Sequence, residues 1–533
     1  MAPAEPGDPR AQSPHGAHHV PTGGPGALAT TATATAVEPL AGPVEGTLRV
    51  PGSKSLTARA LVAAALAGGE STLTGALVSE DTERMVDCLR RLGVEVTVDG
   101  DGGVEGATGV TATSSTARSA RPRSSGTRPS GARPSGATMV VRGAPGALAR
   151  QPAELQVGLA GTVARFLTPL SATGDRPVVL DGTQRMRERP MADLVRSLRQ
   201  LGARVEALGE ADRLPIRVTG PLAGGEVAMA GDTSSQFLSG LLLAAPAMPR
   251  GLQVTLTTAL VSRPYVDMTI ATMAAFGVTV EEDTVPWPAA PAPAEDAGLE
   301  PASGGGPAGD PVPGARTRFT VRPAQRYRPA AFDIEPDASA ASYVFAAAAI
   351  TGSRLCVAGM HRRSVQGDIG FVDLLGAMGA TVTDEPAGIC VAGPSVGDGS
   401  SRLRGIGADM ADCSDVAQSL AVVAPFASSA TTITGIGFIR GKETDRIGAT
   451  VAELRRCGIG ADELPDGMTI RPSRAAGATI DPHGDHRMAM SFAVLGLAIP
   501  GIVIAEPQVV AKTFPAFFEL IDQLHRLPAR SDR

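Results

Sequence analysis

One pattern of apolar and polar positions recurs along the chain: an amphipathic run ending on an apolar residue, a glycine, then a short alternating stretch. It reads Cys88-Leu-Arg-Arg-Leu-Gly93-Val-Glu-Val, Leu198-Arg-Gln-Leu-Gly202-Ala-Arg-Val and Met273-Ala-Ala-Phe-Gly277-Val-Thr-Val. It returns as Leu375-Gly-Ala-Met-Gly379-Ala-Thr-Val and Leu454-Arg-Arg-Cys-Gly458-Ile-Gly. The change from a period near 3.6 to a period of 2 predicts a helix followed by a strand, with glycine as the left-handed helix cap between them. A sixth helix over 514–527 closes the chain with no strand after it. The spacing is too long and uneven for a solenoid, so six such units predict a repeated α/β architecture of two domains with three units each.

The bulk numbers agree. At 533 residues the chain is too long for one ordinary core. Aromatics make up only 3%, so Ala, Gly and Val must fill much of the interior. Residues 1–36 are rich in Pro, Gly, Ala and Thr and read as a disordered tail; His15, His18 and His19 within it read as incidental rather than as a metal site. Low-complexity insertions follow near 105–138 and 285–316. The first carries Arg118, Arg121, Arg123, Arg128 and Arg133 without interleaved aromatics, which reads as a solvated loop.

Several function classes drop out. A net charge of -6 does not suggest nucleic-acid binding. The longest apolar run, Ala493 to Ala505, is too short to span a bilayer and holds Pro500 and Gly501. The first residues lack the marks of a secretion signal or transit peptide, so a cytoplasmic location is expected. The five cysteines are scattered with no CxxC pair; reduced thiols are expected, and neither a disulfide framework nor a zinc site.

Chemistry concentrates just before the helices. Pro51-Gly52-Ser53-Lys54-Ser55 opens an apolar helix over 56–67, where Lys54, Ser55 and Arg59 can converge on an anion. Gly161-Thr162 and Arg165 form a second start, and Arg185-Met-Arg187-Glu188-Arg189-Pro190 crowds three arginines together. Asp232-Thr-Ser234-Ser235-Gln236 is an N-cap cluster, and Ser262-Arg263-Pro264-Tyr265 precedes the third repeat helix. Asp409, Asp412 and Asp415 stand before the run 416–426; one could be a general base. His483 and His486 have the i, i+3 spacing of a metal pair, but no third ligand is evident, and Arg487 follows. Gly441-Lys442-Glu443-Thr444-Asp445-Arg446 opens the amphipathic run 447–454; if helical, Lys442, Glu443 and Arg446 share one face of its first turn. Cations are unfavourable at that end of a helix unless an anion is bound. Lys512 starts the last helix. Recurrence of such starts in an acidic chain points to small, multiply anionic ligands.

These pieces resemble one family. PGSKS, AGT with Arg165, RMRERP, SSQF, Ser262 with Tyr265, QGDIGF over 366–371, KETDR, DHRMAM and AKTFP occur in the order found in 5-enolpyruvylshikimate-3-phosphate synthases (3-phosphoshikimate 1-carboxyvinyltransferases). The resemblance runs from about residue 40 to 525. It implies an α/β fold of two similar domains, each of three βαβαββ units, with helices inside and sheets outside. One domain would be 37–52 plus 335–533, the other 53–334, after a tail over 1–36.

The family joins shikimate 3-phosphate to phosphoenolpyruvate and releases phosphate, with no metal or cofactor. By resemblance Lys54 touches both substrates. Ser55, Arg59, Ser234, Ser235, Ser262, Tyr265 and Lys442 meet shikimate 3-phosphate, and Gln236 lies between the substrates. Gly161, Arg185, Arg446, Arg487 and Lys512 resemble the phosphoenolpyruvate cradle. Asp415 is similar to the aspartate near the target hydroxyl, and Glu443 to the carboxylate near the methylene carbon; His486 completes the polar site. Family members often carry Asn where this chain has Leu159 and Phe438.

Two other readings compete with this one. A sister transferase acting on UDP-N-acetylglucosamine usually has a Lys-Asn pair near the start and a reactive loop cysteine; here Ser55 follows Lys54, and no Cys lies between Cys88 and Cys356. A non-catalytic RNA-binding protein would rely on the arginine-rich insertion. The expected partners are therefore the two small substrates, with no nucleic acid, no membrane and a monomeric chain.

Overall fold

The computed structural model of the chain describes residues 34–99, 136–144, 148, 152–286, 315–394 and 403–531. The tail histidines and the bodies of both insertions lie outside these residues. Their edges lie inside. Thr35 and Ala36, assigned above to the tail, pair with Ile504 and Val503. Ala137–Gly143, Glu281–Pro286 and Ala315–Val321 are strands, so both insertions are shorter than their expected limits.

The helices are α1 (Lys54–Leu66), α2 (Glu80–Arg91), α3 (Gly161–Ser171), α4 (Gln184–Glu188), α5 (Ala192–Gln200), α6 (Ser235–Ala244) and α7 (Arg263–Ala275). They continue as α8 (Ala338–Thr351), α9 (Phe371–Met378), α10 (Ala417–Val423), α11 (Arg446–Arg456), α12 (His486–Gly496) and α13 (Phe517–His525). The five predicted glycine caps all have positive φ: 95° at Gly93, 102° at Gly202, 84° at Gly277, 105° at Gly379 and 73° at Gly458. Each reverses the chain out of a helix into the strand that follows.

Among the described residues the strands form five four-stranded sheets of one design, a parallel pair extended by two antiparallel strands. In the sheet Gly225–Met229, Leu252–Leu256, Ala315–Val321, Glu281–Pro286, α6 links the parallel pair and α7 leads to the hairpin. The sixth sheet has three strands. The strand missing after α13 is supplied by Thr35–Val37, which lies antiparallel to Ile502–Ile504. This is why the last unit of the sequence looked incomplete.

Burial sorts the helices. α1, α8, α10 and α12 are buried almost all round, which their Ala- and Val-rich sequences permit at close approach. α2, α5 and α11 are amphipathic and bury one face. Two hydrophobic cores result. One runs from Leu56 to Ile334; the other joins Val37–Val50 to Ala338–Leu524.

The chain passes between these cores twice, and the two passages lie side by side. Ser53 N–H donates to Glu335 O at 2.8 Å, Asp337 N–H donates to Pro51 O at 2.8 Å, and Gly52 bridges Pro336. A Cβ on Gly52 would lie 1.8 Å from the Gly75 carbonyl oxygen, so only glycine fits between the passages and the neighbouring strand. Gly52→Ala is expected to destabilise the protein by about 2 kcal/mol or more, read as a lower denaturant midpoint with unchanged m value.

The disulfide expectation is overturned. Cys356 and Cys390 face each other in the antiparallel pair Arg354–Ala358 with Gly388–Ala392 and are bonded. They are 34 residues apart, and only strand register brings them together. Among the described residues one group, Cys356, Glu385 and Cys390, is spaced for a metal, but its two thiols are already joined to each other. Cys88, Cys413 and Cys457 are free and buried. No helix among the described residues is long and apolar enough to cross a membrane.

Candidate active site

Helix starts from both cores converge on one cavity. α1, α3, α6 and α7 present theirs from one side; α11, α12 and the turn before α10 present theirs from the other. Their free N–H groups and dipoles make this a positive region before any side chain is counted. Every predicted site residue lines the cavity except Arg185 and Lys512.

Local sequence explains the placement. Ser53 caps α1, its hydroxyl accepting from Leu56 N–H, and this sets Lys54 and Ser55 at the helix mouth. Ser234 caps α6 by accepting from Gln236 N–H; Gln236 Nε2 then donates to Thr162 Oγ1 at 3.3 Å. Asp485 caps α12, accepting from Arg487 N–H at 2.8 Å. Arg59 is buried one turn into α1, donating to Thr269 Oγ1 at 2.7 Å and Tyr265 O at 2.8 Å. Ser262 Oγ lies 3.4 Å from Ala411 O on the opposite half.

The 441–446 stretch departs from expectation. Lys442 and Glu443 are not in the helix. A 3-10 turn over Gly437–Gly441 comes first, and α11 starts only at Arg446. Asp445 is the reason: its side chain accepts from Ile447 and Gly448 N–H, both at 3.1 Å, and so makes itself the N-cap. Lys442 and Glu443 are thereby left outside the helix, where both line the cavity.

Arg446 organises the acids. It is 2% exposed and donates to Asp485 at 2.7 Å, Asp415 at 3.0 Å and Glu443 at 3.0 Å. Arg487 donates to Asp415 Oδ2 at 2.8 Å, and Lys442 lies 3.9 Å from Asp415 Oδ1. Lys512 lies just behind the cavity wall, donating to Asp81 at 2.6 Å, 3.6 Å from Glu443. Asp81 also accepts from Lys54 at 3.2 Å, so this carboxylate holds together two lysines from opposite halves.

Charge states follow. Burial pushes the Glu443 carboxyl up, but Arg446, Arg189 and Lys512 more than offset it, leaving it well below its usual range. Asp415 behaves alike: Arg487, Lys442 and Arg446 outweigh its burial. Burial pulls Lys442 down to about 8, with Asp415 opposing. His486 is held well below its ordinary value by burial and by Lys512 and Arg487, so it is neutral; neither ring nitrogen has a hydrogen-bond partner.

The arginines of the 185–189 stretch take different positions. Arg185 stays out of the cavity: it donates to the backbone carbonyls of Glu443 and Lys442, both at 3.0 Å, and to Glu188. It thereby braces the 442–443 backbone, beside the expected phosphoenolpyruvate cradle. Arg189, one helical turn later, lines the cavity with Arg165. Both are buried, and each Nε lacks a partner. A Cβ on Gly161 would lie 2.6 Å from Arg165 Nη1 and 2.7 Å from Arg189 Nη2, so Gly161 makes room for two guanidinium groups. Asp81, Thr162, Arg165 and Arg189 were missing from the expected site. Phe438 lines the cavity, whereas Leu159 packs into the core and offers only its carbonyl, 3.4 Å from Arg189 Nη1.

A cavity lined by this many buried cations suits anionic ligands. Comparison with known proteins bears on which. The profile of EPSP synthase (3-phosphoshikimate 1-carboxyvinyltransferase) matches residues 40–129, 131–294 and 308–521. The chain belongs to the EPSP synthase family.

A 3-phosphoshikimate 1-carboxyvinyltransferase of Nostoc sp. is 39% identical over 492 residues, covering 91% of this chain and 99% of that protein. One from Methanoculleus marisnigri is 36% identical over 481 residues, covering 90% and 97%. The solved EPSP synthase of Acinetobacter baumannii superposes with TM-score 0.66 at 25% identity, covering 92% of this chain and 98% of that one. The enolpyruvyl transferase NikO of Streptomyces tendae, at 16% identity and TM-score 0.62, shares the fold. The two-domain enolpyruvyl transferase fold expected from the motifs is the fold of this EPSP synthase family member.

Proposed function

We infer that this cleft carries out the reaction of its family. The enolpyruvyl group of phosphoenolpyruvate passes to the 5-hydroxyl of shikimate 3-phosphate, and phosphate is released, within aromatic amino acid biosynthesis. The observation that carries this at the level of chemistry is the convergence of helix starts and buried cations on one cavity.

The residue roles are our proposal. Arg165, Arg189, Arg446, Arg487 and Lys512 surround the space suited to phosphoenolpyruvate, with Gly161 and Gln236 at its edge. Ser55, Arg59, Ser234, Ser235, Ser262, Tyr265 and Lys442 border the space suited to shikimate 3-phosphate, and Lys54 reaches both. Asp415, held ionised by its cations, is the base for the 5-hydroxyl. Glu443 transfers the proton at the methylene carbon. It is ionised in the empty cleft, and binding two anions occupies the cations that keep it so. Its proton affinity therefore rises when the substrates are in place. His486, neutral and unpartnered, offers a hydrogen bond to substrate.

We take residues 37–52 with 335–533 as one domain and 53–334 as the other, on the strength of the two cores and the paired passages. A monomer is proposed because the cavity is complete within one chain. A cytoplasmic location is proposed with it, and the Cys356–Cys390 bond is unusual for that compartment.

The direct test is phosphate release from phosphoenolpyruvate with shikimate 3-phosphate or UDP-N-acetylglucosamine as acceptor. Turnover is expected with the first alone. Lys54→Ala is expected to lower kcat about a hundredfold with an unchanged circular dichroism spectrum. Deleting 114–136 is expected to leave turnover intact; loss of RNA affinity in its place would favour the binding-protein reading.

A further inference from the structure

Asp368, in the 3-10 turn Gly367–Gly370 ahead of α9, is buried, and no step above uses it. It sits where the two halves meet. Tyr265 of α7 places its hydroxyl 3.0 Å from Asp415 Oδ2 and 3.4 Å from Asp368 Oδ2. A phenol has one hydrogen and cannot satisfy both carboxylates. Asp368 Oδ2 also accepts from the Ser339 hydroxyl, and Asp368 Oδ1 is buried with no hydrogen-bond partner. Two ionised carboxylates sharing one donor, one of them with an orphaned oxygen, is a costly arrangement. One proton between them removes both the repulsion and the surplus of acceptors.

The neighbours decide where that proton sits. Asp415 has Arg487 at 2.8 Å, Arg446 at 3.0 Å and Lys442 at 3.9 Å. Asp368 has only the two hydroxyls as direct partners among the described residues. The charged and titratable groups facing it are Tyr265 from α7, Asp337 at the α8 cap, Cys413 and Asp415 from the turn before α10, and Arg487 from α12. Burial and the Asp415 charge push the Asp368 carboxyl up to about 7, with Arg487 opposing.

We propose that Asp368 is a positioning residue that holds a proton where the two halves meet and, by donating to Tyr265, turns the single phenol hydrogen onto Asp415. The carboxylate that takes the substrate's proton is thus fixed by a neutral acid two links away. Tyr265 comes from the opposite half, so the chain Asp368–Tyr265–Asp415 exists only when the halves meet. The proposal rests on Asp415 being the base.

The test is kcat, with both substrates saturating, across about pH 6 to 9. Wild type should lose rate about tenfold per pH unit above about 7, as Asp368 ionises and competes for the phenol hydrogen. Asp368→Asn keeps a donor that cannot ionise. It should hold kcat within about threefold at low pH and move the alkaline limb up to about 8, where Lys442 titrates. Asp368→Leu has no donor and should be about tenfold slower than wild type at low pH, with its alkaline limb also near 8. An Asn variant that keeps the wild-type limb, or that falls as far as the Leu variant, overturns the proposal. Infrared difference spectra give a second readout that does not depend on rate. A protonated carboxyl C=O band should be present in wild type and absent from Asp368→Asn, and its absence from wild type also overturns the proposal. Asp415→Asn, run alongside, separates the two readings: wild-type kcat there would sink the base assignment, while the infrared band still judges the Asp368 proton.

Discussion

Glu443→Gln is expected to lower kcat by about 10²- to 10⁴-fold while the fold and substrate binding persist. The substitution keeps shape and removes only the ability to move a proton. Its neighbours are three cations: Arg446 at 3.0 Å, Lys512 at 3.6 Å and Arg189 at 3.7 Å. Losing the carboxylate removes one negative charge from among these cations, so an anionic substrate should bind as well as before or better. The Michaelis constant for phosphoenolpyruvate should therefore stay level or fall as kcat drops. Such a split points to a role in the transition state and not in binding. A Gln variant with near-wild-type kcat would remove Glu443 from the proton transfer.

Arg446→Leu should be the most destabilising change in the cleft, by about 3–5 kcal/mol. The guanidinium is buried and donates to three carboxylates, Asp485, Asp415 and Glu443. Leucine fills much of the volume but leaves those acids buried with their charge. The effect has a pH signature. Asp415 and Glu443 both have depressed folded-state values, so they contribute stability above the ordinary carboxylate range and lose it as pH falls through their folded values. Without Arg446 both values rise and that contribution shrinks. The gap between wild type and variant should thus be widest near neutrality and narrow in acid, as urea midpoints at several pH values would show. Arg446→Lys should fall between them, since an ammonium restores charge but not the planar fork that serves three acceptors. A gap independent of pH would mean that lost packing, not lost charge compensation, sets the effect.

Local chemistry made much of this molecule legible. The five glycines that stop helices could be read because positive φ has few residue choices, and the serine and aspartate caps because they act within three residues. The helix starts that carry the site were visible for the same reason. What could not be read depends on contacts between distant segments. Arg185, Arg187 and Arg189 look alike in sequence. Arg187 pairs with Asp181, Arg185 with the 442–443 backbone, and Arg189 lines the cavity. Asp81 reads as an ordinary acid of a first helical turn until Lys512 arrives from 431 residues away. The Cys356–Cys390 pair needs strand register, which apolar periodicity does not supply.

The side-by-side passages near Gly52 and Glu335 have a consequence for how the chain is made. The half over 56–334 is continuous in sequence, and its two ends meet through Ser53 N–H and Glu335 O. The other half starts with two strands, Thr35–Val37 and Glu45–Leu48, whose partners Ile502–Ile504 and Arg354–Ala358 are not yet synthesised when they leave the ribosome. The continuous half can therefore complete its core first, and in closing its own ends it carries the waiting N-terminal strands back beside the newly made chain. Expressed alone from just before Ser53 to just after Glu335, that half should fold, whereas the flanking pieces joined directly would need a linker no longer than a tight turn.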